Sequence, residues 1–445
     1  MAPSSLRLLL ERRLPSFRHR NFRLYWSGQL LSLVGTWMQS VAQGWLLHRL
    51  TPSAFMLGLL GFLQFLPVLL LSLWAGVIAD RTDKRRLIQI TQTAALIQAV
   101  VMAALVSWGH VQPWMVLALA FGFGIINAFD LPARQSFLIE LVGREDLSNA
   151  IALNSAAFNM ARIFGPALAG VLLAMLPRLA HVLGLEAWAR SPYAGEAGCF
   201  WINAVSYVAV LVSLARMDVT PAPAESSGAR TSSHIAEGVR YVLHTPPIRN
   251  LLILLGCTAG LAFQYLTLLP VYVRELLHAG ADAYGLLVTA FGVGALVAAV
   301  AMTRRTDRWG LRHNLLAGLL SSAVGLGVFA WSRWLPLSMI AGFLAGFGLI
   351  LYVASTNIMI QLTTEDRFRG RVMSLYTLMF IGLAPFGSLL AGSIAEAAGA
   401  PVATTVSAVV LLGGAVWVFF RLRVLAAREA RDRPHETEPA ADRVG

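Results

Sequence analysis

The sequence predicts an all-α membrane protein with twelve transmembrane helices arranged as two pseudo-symmetric halves of six. Composition, the number of apolar runs and one repeated charged hairpin predict this fold. The 445 residues are 57% hydrophobic and only 13% charged, whereas a soluble chain carries about 25% charged residues. Twelve apolar runs can be marked, each near the roughly 20 residues that a helix needs to cross a bilayer.

The twelve predicted spans divide the chain into two bundles joined by a linker. They lie at residues 22–48, 54–79, 86–108, 113–131, 148–176, 199–216, 250–273, 283–303, 313–332, 335–361, 371–397 and 401–422. The first six form the bundle 22–216, and the last six form the bundle 250–422. The linker 217–249 begins with prolines and serines, which favours flexibility, and continues as a short amphipathic helix. Residues 1–21 are expected to lie on the membrane surface, and the charged tail 423–445 is expected to be disordered.

A charged hairpin separates spans two and three. Residues 76–86 read Gly-Val-Ile-Ala-Asp-Arg-Thr-Asp-Lys-Arg-Arg, and such a turn must face water because hydrocarbon cannot solvate it. A similar stretch, residues 307–312, follows span eight about half a chain later. A hairpin that recurs at the same place in each half indicates a duplicated bundle. The alternative is two unrelated basic loops placed by the positive-inside rule.

The first hairpin resembles the signature of the major facilitator superfamily, G-x-[LI]-A-D-R-x-G-[RK]-[RK]. The matching residues are Gly76, Ile78, Ala79, Asp80, Arg81, Lys84 and Arg85, and in the second copy Asp307, Arg308, Gly310 and Arg312. Asp83 stands where the family has a glycine, and Leu311 replaces a basic residue. The resemblance implies the twelve-helix fold of a transporter, and we expect a monomer without a cofactor.

The basic residues predict the orientation in the membrane. The net charge is +12, and Lys84 is the single lysine beside 34 arginines. With the N-terminus inside the cell, 29 of these 35 side chains fall on the cytoplasmic side, five on the far side, and one, Arg162, within a span. This asymmetry predicts cytoplasmic N- and C-termini. The basic excess is therefore an orientation signal and does not indicate a nucleic-acid partner.

Span five carries a second motif. Residues 161–170 read Ala-Arg-Ile-Phe-Gly-Pro-Ala-Leu-Ala-Gly and resemble the superfamily's antiporter motif, G-x-x-x-G-P-x-x-G-G. Gly165, Pro166 and Gly170 match it, whereas Ala161 and Ala169 replace glycines. The proline bends the helix, and the motif implies export, since importers of the superfamily generally lack it.

Polar residues at helical spacing are the candidates for substrate contact. Ser32, Thr36, Gln39 and Gln43 share one face of span one, and the resemblance implies that spans one, four, seven and ten line the cavity. The candidate cavity residues are Gln39, Gln43, Asn127, Arg162, Gln264, Asn357 and Gln361. The alternative is that these groups hydrogen-bond helices to one another. A mostly apolar lining of this kind suits an amphipathic or aromatic molecule better than a sugar.

The resemblance also implies a gate at the hairpin. Asp80 is expected to face the N-terminus of span eleven near Gly370 and Arg371, because unpaired N–H groups there favour an anion. Arg81, Lys84 or Arg85 would then pair with Asp130 of span four. Together these contacts would hold the cytoplasmic side shut in the outward-open state.

Arg162 raises a separate expectation, because a lone charge deep in a span is costly. We expect an ion pair between Arg162 and Asp130, either direct or bridged by water, with Asn127 or Asn159 completing the hydrogen bonds. The alternative is that Arg162 reaches the lipid headgroups.

The remaining sequence features narrow the function. The single lysine is followed by Arg85, so the chain has no P-loop and cannot itself be an ATP-driven pump of that type. No H-E-x-x-H or G-x-S-x-G motif occurs, so neither a metal site nor an enzyme is predicted. Residues 21–26, 35–39, 130–135 and 237–242 resemble the branch that contains enterobactin-type siderophore exporters and macrolide efflux pumps.

The predicted function is therefore secondary export of small, drug- or siderophore-like amphipathic molecules across a bacterial inner membrane, in exchange for protons. Span one contains no acidic residue, so the proton-carrying group is not identified. The alternatives are a facilitator or lipid-type translocator without proton coupling, and a non-transporting membrane sensor.

Overall fold

The first half of the chain folds into six long helices. The computed structural model describes residues 14–184, 188, 191–218, 231–262, 265–302 and 308–431, and every regular element among them is helical. A short 3-10 helix, Pro15–Arg18, precedes the bundle. The six helices are α1 Arg20–Leu50, α2 Ala54–Arg81, α3 Lys84–Ser107, α4 Pro113–Val142, α5 Leu147–Val182 and α6 Ala194–Ala215.

The second half repeats this arrangement with two of its spans divided. Helix α7, Thr231–His244, lies in the predicted linker. The following helices are α8 Pro246–Leu261, α9 Tyr265–Val271, α10 Ala281–Met302, α11 Arg308–Trp331, α12 Leu335–Thr363, α13 Asp366–Gly382, α14 Ala384–Ala398 and α15 Ala400–Arg431. A π-helical turn, Tyr272–Leu276, continues α9, so these two elements and α8 form span seven. Helices α13 and α14 form span eleven.

In the described part of the chain, eleven helical segments are long and apolar enough to cross a membrane. Helix α1 completes the twelve. Its 31 residues extend about 46 Å at 1.5 Å per residue, but glutamines, serines and a threonine reduce its apolar character. The predicted fold of twelve helices in two halves is confirmed.

The charged hairpin is a two-residue connection between helices. Asp83 caps α3, where its carboxylate accepts a hydrogen bond from the N–H of Arg86 at 3.2 Å. Its φ is −59°, so the connection needs no left-handed residue and an aspartate can replace the family's glycine. Gly76 lies inside α2, more than a turn before the connection.

Two helix ends differ from the sequence prediction, and the N-terminal segment contacts the first bundle. Helix α5 continues to Val182 instead of ending at residue 176, and Pro177 lies inside it. Helix α15 continues to Arg431, so the expected disordered tail 423–445 is wrong for its first part, and residues 432–445 lie outside the described residues. The N-terminal segment, described from residue 14, is attached to the α4–α5 connection by a His19–Asp146 contact of 2.8 Å.

Buried amides join α1 to the other helices of its half. Gln39 accepts a hydrogen bond from Asn203 of α6 at 2.6 Å and donates one to Gln98 of α3 at 3.1 Å. The side-chain carbonyl of Asn203 in turn accepts a hydrogen bond from the Ser206 hydroxyl at 2.9 Å. Because lipid offers no alternative partners to a fully buried amide, this network fixes the position of α1 in the first half.

Asn203→Ala should therefore destabilise the protein. The substitution leaves the buried side-chain carbonyl of Gln39 without its donor, at a cost of about 1–3 kcal/mol. We expect the unfolding midpoint of the purified protein in detergent to fall by about 1–3 °C. Asn159→Ala is the matched control, because Asn159 donates only to the Ser155 carbonyl of its own helix. Equal midpoints for the two variants would contradict this role of Asn203.

Candidate functional site

The two halves touch where glycines bring helix backbones together. A Cβ added to Gly58 of α2 would lie 2.9 Å from the Cα of Gly392 in α14, and one added to Gly170 of α5 would lie 2.6 Å from the Cα of Gly285 in α10. Real side chains do not approach so closely, so both crossings require glycine. Spans two and eleven form one crossing and spans five and eight the other, as a pseudo-two-fold arrangement requires.

The candidate antiporter motif lies at this interface. A Cβ at Gly165 would be 2.5 Å from the Cβ of Trp37 and 2.8 Å from the Val34 carbonyl oxygen, so α5 packs directly on α1. The carbonyl oxygen of Pro166 is 3.2 Å from the Cβ position of Gly285. The motif thus provides the surface on which α5 contacts both α1 and the other half.

We call the end of the bundle that carries the 51–53 connection the far end. Polar contacts join the halves there. The carboxylate of Glu396 accepts hydrogen bonds from the Ser53 hydroxyl and the Phe55 N–H, both at 3.1 Å. Arg274 donates to the His48 carbonyl at 2.8 Å, and the His48 ring lies 3.2 Å from the Glu275 carboxylate. The far end is therefore closed.

A surface cavity of about 480 Å³ lies at this closed end. Three arginines, Arg49, Arg178 and Arg274, line it together with Glu196 and Asp282. Arg49 forms an ion pair of 2.6 Å with the buried Glu196.

We call the opposite end, which carries Thr82 and Asp83, the hairpin end. The halves are apart there. Asp80 is exposed and has no hydrogen bond or ion pair with any residue that the structure describes. No heavy atom lies within 4 Å of a Cβ built on Gly76 or on Gly370. Arg371 instead pairs with Glu237 of α7 at 2.7 Å. The expected contact of Asp80 with α13 is thus not made in this conformation.

The basic residues of the hairpin bind partners other than Asp130. Lys84 pairs with Glu140 at 2.7 Å. Arg85 donates to the carbonyls of Leu214 and Ala215 at 2.9 and 3.1 Å. Acceptors on α4 and α6 thus take up the charges of Lys84 and Arg85 in this conformation, and their pairing with Asp130 in the outward-open state stays a prediction.

Asp130 is satisfied within its own half. It pairs with Arg134, one turn further along α4, and accepts hydrogen bonds from Thr91 at 2.6 Å and Gln92 at 3.1 Å. Asp130 therefore makes no direct ion pair with Arg162, and a water-bridged pair stays a prediction. A partner four residues away on the same helix needs no second helix to approach, whereas Arg162 lies beside Tyr265 of the other half.

The predicted cavity residues do not form one site. Gln39 and Gln43 are 2% and 4% exposed, and Gln43 donates to the Val116 carbonyl at 3.2 Å. These contacts favour the helix-joining alternative, and substrate contact stays a prediction. Asn357 and Gln361 are bonded to each other at 2.6 Å near the hairpin end of α12. Asn127 is half-buried.

The second hairpin is only partly described. Gln264 and Asp307 lie outside the described residues. Arg308 begins α11 and its side chain is not described, while Gly310 is buried and Arg312 half-buried in the next turn.

Sequence reasoning missed the far-end contacts. Glu196 precedes the predicted start of span six at residue 199, but α6 already begins at Ala194 and buries it. His48 and Arg49 lie at the end of α1, where the sequence predicts the boundary between the span and a loop. A signal was present, since Glu196 and Arg49 are rare charges directly beside apolar runs.

Twelve helices in two halves, with glycine crossings at one end and charged hairpins at the other, define a transporter of the major facilitator type. The chain belongs to the family described as transmembrane secretion effector, whose profile matches residues 12–444. The members of this family are membrane transporters, not enzymes.

Relatives and solved structures agree with this assignment. The chain is 27% identical over 380 residues to the staphyloferrin A transporter of Staphylococcus aureus, covering 85% of this chain and 90% of the relative. It is 27% identical over 402 residues to the multidrug efflux pump Tap of Mycolicibacterium fortuitum, covering 88% and 93%. A bacterial homologue of the human lysosomal transporter Spinster, in an inward-facing and unoccupied conformation, superposes with a TM-score of 0.71 at 15% identity over 94% of this chain and 98% of that one.

Gly58→Val should open the far end. Its side chain would meet the backbone of Gly392, and such overpacking costs about 1–3 kcal/mol. We expect a cysteine introduced for the buried Ala169, in a Cys257→Ser background, to react with a thiol reagent about tenfold faster. Gly122→Val is the control, because no heavy atom lies within 4 Å of its Cβ position. An unchanged rate in the Gly58 variant would show that this crossing does not hold the far end shut.

Proposed function

We propose that the protein exports small amphipathic molecules across a bacterial inner membrane, in exchange for protons, by alternating access. The observation that carries this proposal is the asymmetry of the contacts between the halves. Glycine crossings and polar contacts close the far end, while Asp80 at the hairpin end is exposed and unengaged. A pathway that is closed at one end and open at the other is one of the two states that alternating access requires.

The positive-inside rule supports assigning the hairpin end to the cytoplasm. Arg81, Lys84, Arg85 and Arg86 cluster at that end, and both chain termini lie on the same side in the proposed topology. The conformation described above would then be open to the cytoplasm, where an exporter loads its substrate.

In the alternate state, Asp80 would seat against the N-terminus of α13. The exposed carboxylate is already unengaged, and the first turn of a helix favours an anion. Glu237 and Tyr241 of α7 hold α13 from its other side, through the Arg371 ion pair and a stacking contact of 4.2 Å between Tyr241 and Phe368. The linker helix would therefore move together with the second half.

Two carboxylates are candidates for carrying the proton. Asp130 and Glu196 are the acidic residues of the described chain that are buried, at 4% and 2% exposure. Each is neutralised by one arginine of its own half, Arg134 or Arg49. Protonation of either carboxylate would break an ion pair that fixes the local helix packing, which is how a proton could bias the position of the halves.

The names of the relatives support the substrate class. One relative is a siderophore transporter by name and another a multidrug efflux pump. Proteoliposome flux of a panel of drugs and siderophores under an imposed pH gradient tests the proposal. Export that follows the gradient is expected. Flux that ignores pH would instead indicate a facilitator or lipid-type translocator, and no flux of any compound would indicate a sensor.

Asp80→Asn should reduce export at least about tenfold, because the neutral side chain loses the charge–dipole and charged hydrogen-bond contribution in the alternate state. Folding should be unaffected, since Asp80 has no partner among the described residues in the present conformation. Export is measured in proteoliposomes, with the amount of folded protein checked by size-exclusion chromatography. Asp83→Asn is the matched control, because asparagine also caps helices. Normal export by the Asp80 variant would contradict the role of this residue in the gate.

A further inference from the structure

Arg162 is a deeply placed cation that the proposed mechanism does not use. It lies 15 residues after the first residue of α5, about 23 Å along the helix. A guanidinium at that depth is costly unless it is paired or faces a water-filled space. Asp130, the expected counter-ion, is already paired with Arg134.

The guanidinium is unpaired yet accessible. Arg162 forms no ion pair and donates no hydrogen bond to any residue that the structure describes. Its nitrogens are not fully enclosed by protein atoms, and the residue is half-buried. The guanidinium therefore borders open space inside the protein.

This space lies between the halves and not in the lipid. The Arg162 carbonyl is 3.6 Å from the Cβ position of Gly292 in α10, and Tyr265 of α9 is the titratable group that interacts with the guanidinium. Phe164, two residues further along α5 and thus on the opposite side of the helix, is 57% exposed and faces outward.

A polar track leads from the hairpin end to Arg162. Ser155, Asn159 and Arg162 follow at helical spacing on one face of α5, and Ser155 is exposed while Asn159 is half-buried. Pro166 continues this face but is buried against α10. The track thus ends at Arg162, directly below the closed far end.

Tyr265 supplies a second donor and an aromatic surface. Its ring stacks on Phe291 with the centroids 4.4 Å apart, which holds the ring in place. Its hydroxyl has no hydrogen-bond partner among the residues that the structure describes and is not fully enclosed. A guanidinium and a phenol hydroxyl beside an apolar wall match a carboxylate or similar anionic group attached to an apolar body.

We propose that Arg162 and Tyr265 form a subsite for the anionic group of an amphipathic substrate. This inference rests on the proposed function, because it names the substrate class of the same pathway. An entering anion supplies the counter-ion that Arg162 lacks, and the low local dielectric strengthens the pair. The ligand is the substrate's own anionic group, not a phospholipid headgroup, because the face of α5 that ends at Arg162 and Pro166 lies against α10 of the other half, while Phe164 on the opposite side is exposed.

Arginine-specific labelling tests the subsite. The full-length protein in phosphatidylcholine nanodiscs is treated with phenylglyoxal, and modification of Arg162 is quantified by mass spectrometry. The probe is 1-pyrenebutyrate, and the neutral control is 1-pyrenebutanol. Modification should slow by about tenfold with the anion and stay unchanged with the alcohol, while the exposed hairpin residue Arg81 reacts equally throughout. Equal protection by both probes, no protection by the anion, or an unreactive Arg162 would overturn the proposal.

Substitutions test the chemistry by fluorescence titration of the same probe. Arg162→Gln should weaken binding about tenfold and Tyr265→Phe about threefold, since hydrogen bonds involving a charge are the stronger ones. Arg162→Lys should restore most of the affinity. Arg178→Gln removes a positive charge from the far-end cavity, beyond the seal, and should leave binding unchanged. Equal loss in the Arg178 variant would show that general positive charge, not this subsite, binds the anion.

Two further arms separate the alternatives. If phosphatidylglycerol nanodiscs protect Arg162 without any probe, the site holds a lipid headgroup and the proposal fails. Binding needs no gradient, so protected labelling without export would refute the proposed function alone. Export without protection would refute the subsite alone.

Discussion

The close approach of four glycines at the far end determines how the rest of the structure is arranged. Gly58 with Gly392, and Gly170 with Gly285, let two helix pairs cross with their backbones in contact. Each pair takes one helix from each half, so the crossings join the halves directly. Their position near one end explains why the opposite end, with Asp80, is open, and why the polar face of α5 that carries Arg162 is reached from that side.

The distribution of ion pairs shows which parts can move as units. Asp130 with Arg134, Lys84 with Glu140, and Arg49 with Glu196 all lie within the first half, where burial and the scarcity of alternative partners in lipid keep them together. The polar contacts between the halves lie at the far end, around Glu396 and Glu275. Both of these carboxylates are exposed, and exposed carboxylates contribute little stability to such contacts.

The sequence predicted the fold, the hairpins and the residues of the glycine-rich motif, because apolar length and turn chemistry are local properties. It could not predict partners. The spacing of Gln39 and Gln43 places both on one face of α1, but spacing does not say whether that face meets a cavity or, as found, α3, α4 and α6. Arg134, four residues further along the same helix, pairs with Asp130 in place of Arg162. Glu196 was missed because a hydropathy profile starts the span only after this charged residue, whereas α6 itself begins earlier, at Ala194.

Paired distance measurements test whether the two ends open and close reciprocally. Spin labels at the exposed Thr82 and Arg369 report on the hairpin end, and labels at His110 and Arg333 report on the far end, with the exposed Cys257 replaced by serine. Distances are compared in nanodiscs at alkaline and acidic pH. If the ends move reciprocally, the far-end distance lengthens whenever the hairpin-end distance shortens in the same sample. Two distances that change together, or a far end that never opens while substrate is exported, would contradict it.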